Sequence, residues 1–415
     1  MKTKSIVAVL SVSVALVLPA FSAETGAAPN KGITYSKDVA PVIQERCQDC
    51  HRSGGIAPFS LMNYRQAKGW AKMIREVVLD GRMPPWHADP KVGKWSNDMS
   101  LSQAQKDTLV GWIDGGLAKG DDADLPAPRE FYEDWGIGKP DLVFEMPEEV
   151  TIPATGVMPY EHYVLPTNFE EDTYVSSMEL KPSNPRVVHH IIMFVQDPSG
   201  SKDAKDAFLG IGGAMLDVFA PGTNPFPLTA GQARKIPKGA KLVWQVHYTP
   251  TGRVEKDRSK FGLILAKGPV TEEIRTATVI NTGFRIPANE ANYKVEAEMN
   301  FPDSATIYSF TPHMHYRGKA MDFVLKYPDG REELACSIPR YDFNWQLDYR
   351  LAEPLRVPKG TTVKVVAHFD NSDKNPYNPD PTKSVTWGEQ TWEEMMMGGM
   401  FLSWGSGEAP AASTD

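Results

Sequence analysis

Only three cysteines occur in 415 residues, too few for a disulfide framework. Basic charge is also short. Lys and Arg number 44 against 52 Asp and Glu, a net charge of −8, and phosphate neutralisation needs the opposite sign. No nucleic-acid partner is expected. No apolar run reaches the ~20 residues that cross a bilayer, so no membrane anchor is expected either. Turn formers, by contrast, are plentiful: 33 Gly and 34 Pro fit a loop-rich, largely β chain. At ~100–200 residues per domain, the length implies two or three domains.

Lys2 and Lys4 precede a charge-free run from Ile6 to Leu18, which Ala20-Phe21-Ser22 follows. Basic, apolar and small residues in that order read as a cleavable export signal over residues 1–22. A periplasmic or secreted protein is expected, with residues 406–415 as a disordered tail.

Two of the three cysteines lie in Cys47-Gln48-Asp49-Cys50-His51, the spacing of c-type haem attachment. Two thiols one helical turn apart can each add to a vinyl group, and the adjacent imidazole reaches the iron from the same turn. A redox dithiol or half a zinc site are the competing readings, but zinc would need a second ligand pair that is absent. One covalent haem c is therefore expected in an all-α domain over residues 31–120. Ser36 is expected to cap a helix through Val39, Val42 and Ile43. Ser102-x-x-Gln105 forms a capping box before a helix with Leu109, Val110, Ile113 and Leu117 on one face. This resembles the C-terminal helix of class I cytochromes c. Met83, in Arg82-Met83-Pro84-Pro85-Trp86, is the first choice for the sixth iron ligand, with Met62, Met73, Met99 and His87 as rivals. A thioether opposite histidine raises the potential and suits electron transfer.

Residues 121–139 are acidic and proline-bearing and read as a linker. Beyond Pro140 the texture changes to short β-branched and aromatic runs bounded by turns. Asp141–Phe144, Tyr174–Leu180, Lys241–Tyr248 and Thr361–Phe369 are examples. Two β-sandwich domains are expected, over residues 140–270 and 271–405.

Five histidines of this β region fall in three contexts. His189 and His190 are adjacent in a strand-like run, His247 lies in Gln245-Val246-His247-Tyr248, and His313 and His315 are spaced i, i+2. On a strand the i, i+2 spacing puts both imidazoles on one face, whereas adjacent residues point apart unless a bulge intervenes. Metal binding is the expected role. His162 and His368 stand alone and read as structural.

His-His with apolar neighbours, then Gln-x-His-Tyr, His-x-His-x-x-Gly and Glu-Met is an order that resembles the type II copper, ascorbate-dependent monooxygenases. Peptidylglycine α-hydroxylating and dopamine β-monooxygenases are its animal members. The resemblance spans roughly residues 140–405 and implies jelly-roll-like β-sandwich domains holding two copper ions. By position, His189, His190 and His247 would hold the electron-transfer copper. His313, His315 and Met395 would hold the catalytic copper that meets dioxygen, with Met396 and Met397 as alternatives to Met395. A thioether is soft and favours Cu(I). Two features depart from the family. The disulfides of its animal members are absent, and Thr311 stands where peptide-hydroxylating members hold the substrate carboxylate with arginine.

The expected function is hydroxylation of a C–H bond in a small organic substrate by dioxygen. Electrons would come from an ascorbate-like reductant or another cytochrome, passed on through the fused haem. The alternatives are a non-catalytic haem and copper electron carrier, or a β-sandwich module that keeps a metal site for stability or copper sensing.

Overall fold

The computed structural model describes residues 32–131, 134–198 and 213–405. The expected export segment 1–22 and tail 406–415 lie outside the described residues. No helix of the described residues is long and apolar enough to cross a membrane.

The chain is mostly β with a short helical region at its N-terminal side. A π-turn over Tyr35–Val39 runs into the helix Ala40–Arg46, and helices Tyr64–Gly69, Ala71–Leu79 and Gln103–Asp114 follow. Val39, Ile43, Leu61, Ile74, Val78, Leu109 and Trp112 form their shared core. The capping box at Ser102 is present: Gln105 N donates to Ser102 Oγ at 3.2 Å, and Ser102 N donates to Gln105 Oε1 at 2.9 Å. Ser36 is not the first helix's cap. Thr34 takes that position and accepts from Lys37 N, while the Ser36 hydroxyl donates to the Lys119 carbonyl at 3.0 Å. That bond ties the helix start to the chain leaving this region, and it removes Ser36 from the helix terminus.

Beyond Leu142 every regular element among the described residues is a strand. Thr362–Phe369 alternates strictly between half-buried and buried side chains, the period-two signal of a strand with one face on a core. Nearly all pairings are antiparallel; Glu272–Glu273 against Gln232–Ile236 is parallel. A five-stranded and a four-stranded sheet share one core, with Val175, Phe261 and Leu263 from the first and Ile191, Trp244 and Val246 from the second. Two further four-stranded sheets share another, built on Ile307, Phe310, Phe323, Val365 and Leu402.

Lys241–Tyr248 is buried at every position after Lys241. One face, with Leu242, Trp244 and Val246, looks into its own core. The other carries Val243, which packs with Phe194 and Met395. Met395, just before the last strand of the C-terminal sheets, thus seals the outer face of the four-stranded sheet, and burial of both faces suits a strand whose apolar run is interrupted only by Gln245 and His247.

The helical region is held by more than the 121–139 connection. Trp95 bridges to Leu351, Ser96 N donates to Arg350 O at 2.8 Å, and Ala352 N donates to Lys94 O at 2.8 Å. Trp86 lies 4.9 Å from the Tyr349 ring. Residues 86–99 therefore extend the wall of the C-terminal sheets. The connection itself is anchored: Arg129 pairs with Asp49 at 2.7 Å, and Ile137 N donates to Glu179 at 3.1 Å.

Candidate metal centre

Val188–Gln196 and Lys241–Tyr248 are neighbours, and His190 lies directly opposite His247. The register shifts between Val188 and His190, so His189 sits in a bulge. The bulge lets adjacent histidines converge rather than diverge. A ligand-capable atom from each of His189, His190 and His247 lies within 4.8 Å of the others. The Nδ1 atoms of His189 and His190 approach to 3.2 Å. Two nitrogens bound at ~2.0–2.1 Å to one tetrahedral ion would be ~3.3 Å apart.

His313 ends the strand Ala305–His313, and His315 lies past it. The two rings nevertheless meet, with centroids 5.2 Å apart at 88°. Strand pleating does not account for this, because the i, i+2 rule stops where the strand does. Glu394 does. Its fully buried carboxylate accepts from His315 N at 2.9 Å, Arg317 N at 2.6 Å and Met395 N at 3.3 Å. One side chain thus clamps the His313–Arg317 turn to the methionine segment. Burial pushes the Glu394 carboxyl up to about 8, against the pull of those N–H groups.

Neighbouring groups set which nitrogens are free. His313 Nδ1 lies 2.7 Å from Gln346 Oε1, whose amide nitrogen donates to Phe343 O. His315 Nδ1 lies 3.3 Å from the Glu393 carbonyl, which can only accept. Both arrangements leave Nε2 for a metal, the usual outer-shell device. His189 Nε2, His190 Nε2, His247 Nδ1 and His315 Nε2 are buried without hydrogen-bond partners. Buried imidazole nitrogens without partners, on three residues whose ligand-capable atoms lie within 4.8 Å of one another, fit a bound cation.

Met396 packs into the C-terminal core with Met400 and Leu402. Met395 and Met397 instead join Phe194 and Val243, and Met397 faces His313 across the ladder. Sequence reasoning missed Glu394, Gln346, Tyr160 and Phe343. Tyr160 lies 5.2, 4.7 and 6.5 Å from the rings of His190, His247 and His315, and its buried hydroxyl has no partner. Phe343 stacks on His189 at 4.6 Å and 16° and meets His315 edge-on at 5.9 Å. These two rings touch both histidine groups.

Burial holds His189 and His313 down to about 4 and His247 to about 3; His190 and His315 lie well below the usual imidazole value. All five are neutral near pH 7, the form that ligates. Between about 6.5 and about 4 the unfolded chain binds more of these protons than the folded one, so stability falls on acidification through that window. The unfolding midpoint of metal-free protein is expected to drop steadily from pH 7 to pH 4. His247→Phe should blunt that drop, and an unchanged slope would contradict the assignment.

In the Cys47-x-x-Cys50-His51 stretch, burial pushes the Cys47 and Cys50 thiols up to about 12 and about 11. His51 Nδ1 lies 3.1 Å from the Phe59 carbonyl, which leaves Nε2 for an iron. Met83 is half-buried, with its N–H on Val77 O at 3.1 Å. Of the rivals, Met62 and Met73 are exposed, Met99 packs on the C-terminal core, and His87 is buried beside Tyr349 with neither ring nitrogen partnered.

No protein-family model matches the chain, and no curated protein matches it. Among solved structures, an infectious bursal disease virus particle of the Gx strain is 8% identical at a TM-score of 0.17, covering 65% of this chain and 73% of that one. PNGF-II is 8% identical at 0.25, over 75% and 72%. The PBCV-1 VP54 protein is 8% identical at 0.23, over 69% and 99%. At such scores these likenesses bear on neither fold nor function.

Proposed function

We propose that this chain is an exported copper-dependent monooxygenase of the type II, ascorbate-dependent kind, fused to its own c-type cytochrome domain. In this reading the two β units are jelly-roll-like copper domains, and the helical region carries one covalent haem at Cys47, Cys50 and His51 with Met83 as sixth ligand. The observation that carries it is the pair of unlike donor groups, three imidazoles on one β unit and two imidazoles beside methionines on the other. Bound copper would supply one-electron redox chemistry at each site and a place for dioxygen at the second.

The chain's own residues divide the work. His189, His190 and His247 hold a copper rigidly, because two come from paired strands and the third from a bulge beside them. Gln346 and the Glu393 carbonyl orient His313 and His315. Glu394 brings Met395 to the same turn. Met395 is the proposed soft ligand, with Met397 its competitor. Phe343 and Tyr160 fill the space between the groups with ring carbon, which excludes water.

A second reading, a haem and copper electron carrier without catalysis, draws on one feature. A cavity of about 360 Å³ is lined by Phe226, Glu272, Tyr308 and Arg350 rather than by the histidines. Oxygen uptake separates the two. Pure protein is expected to contain one haem and two coppers and, with ascorbate and a screen of small organic compounds, to yield a product bearing one atom from labelled dioxygen. A single metal ion per chain, or two coppers with no substrate-dependent uptake, would sink the oxygenase.

A further inference from the structure

The loop joining Glu332–Ile338 to Tyr349–Val357 touches the helical region and both histidine groups. Near its start Arg340 donates to the Gly81 carbonyl at 2.6 Å and reaches the Asp80 carbonyl at 3.5 Å, just ahead of Met83. Tyr341 closes on the turn between the two C-terminal histidines: its hydroxyl donates to Met314 O at 2.7 Å and accepts from Met314 N at 3.1 Å. Phe343 then lies flat on His189, and Gln346 holds His313. One short segment therefore runs from the chain beside Met83 to an imidazole of the three-histidine group, starting at exposed Arg340 and turning inward at buried Tyr341 and Phe343.

We propose that this loop is the electron route from the haem to the three-histidine copper, entering at Arg340 and leaving through the Phe343 ring. The proposal rests on the haem and copper assignments above. One electron leaves ferrous haem and reduces the cupric ion held by His189, His190 and His247. Iron ends ferric and copper cuprous; no bond forms or breaks, and no proton has to move. The ring contacts of Trp86 and Trp95 across the seam, on Tyr349 and Phe310, lead into the C-terminal core rather than to an imidazole.

The test uses the full chain loaded with haem and copper, under argon, in a stopped-flow instrument. A small reduced c-type cytochrome serves as donor, because it is too large to reach the buried imidazoles. Haem reoxidation is followed by its visible absorbance, and copper by loss of the cupric EPR signal. Arg340 is exposed, so Arg340→Gln leaves the fold intact. Phe343→Leu removes the stacked ring at similar bulk. Each is expected to slow haem reoxidation at least about tenfold, within the ~100-fold that a ~1 Å misplacement of a positioned group can cost. Arg340→Gln is expected to leave copper reduction by ascorbate at the wild-type rate. Wild-type rates in both variants would move the transfer to the Trp86–Tyr349 contact and overturn the proposal. So would haem that stays reduced in the wild type, or equal slowing of both routes by Arg340→Gln. Ascorbate-fed oxygen uptake is scored separately, so the oxygenase survives failure of the route, and the route survives failure of the oxygenase.

Discussion

Changing His247 to alanine is expected to halve the copper content, from two ions per chain to one, while leaving the haem spectrum unaltered. His247 lies opposite His190, and both rings face the third imidazole offered by the bulge. Two imidazoles cannot replace three, because the ion would lose a ligand held rigidly by the ladder. Outer-shell partners of metal ligands already give ~10–100-fold losses in affinity or activity, so a lost ligand should reduce oxygen uptake by at least about 100-fold. The C-terminal copper should remain, because Gln346, Glu393 and Glu394 orient its ligands independently of His247. Metal analysis and quantitative EPR decide the matter. A variant that keeps both coppers would show that these three imidazoles do not form a metal site.

The second large effect is expected at Glu394. Alanine there leaves the N–H groups of His315, Arg317 and Met395 buried without their acceptor. Each orphaned donor costs ~1–3 kcal/mol, partly offset because the cost of burying the polar Glu394 carboxyl is also removed. A net loss of about 3 kcal/mol is expected, read as a lower urea midpoint with unchanged slope. Glu394→Gln keeps one carbonyl oxygen and should lose less. Copper is expected to leave the His313 and His315 site while the three-histidine site stays loaded. A Glu394→Ala protein within about 0.5 kcal/mol of wild type would remove the clamp from the account.

Much of the β architecture was legible because burial imposes a pattern on strands. Thr362–Phe369 shows it as alternation, and Lys241–Tyr248 as a mostly apolar run. The Ser102 capping box was legible for a similar reason: both partners lie within one turn. Side-chain convergence was less so. A bulge changes the register by one residue, and nothing in Val187-Val188-His189-His190 says where the slip falls. Glu394 counted in the sequence only as the Glu that precedes Met395; its burial depends on donors almost eighty positions away. Phe343 and Tyr160 lie in loops, where spacing does not say which way a side chain faces. Two tryptophans in a proline-bearing loop, Trp86 and Trp95, were the available hint that this stretch faces another body.

That stretch has a consequence for how the halves of the molecule relate. Proteins strung together by exposed linkers can trade partners freely, because each piece keeps its own closed surface. Here a cut between residues 120 and 140 would bare Tyr349 and Leu351 on one fragment and Trp86 and Trp95 on the other. Neither fragment could be exchanged for a cousin without reshaping the seam, so the two must change in step.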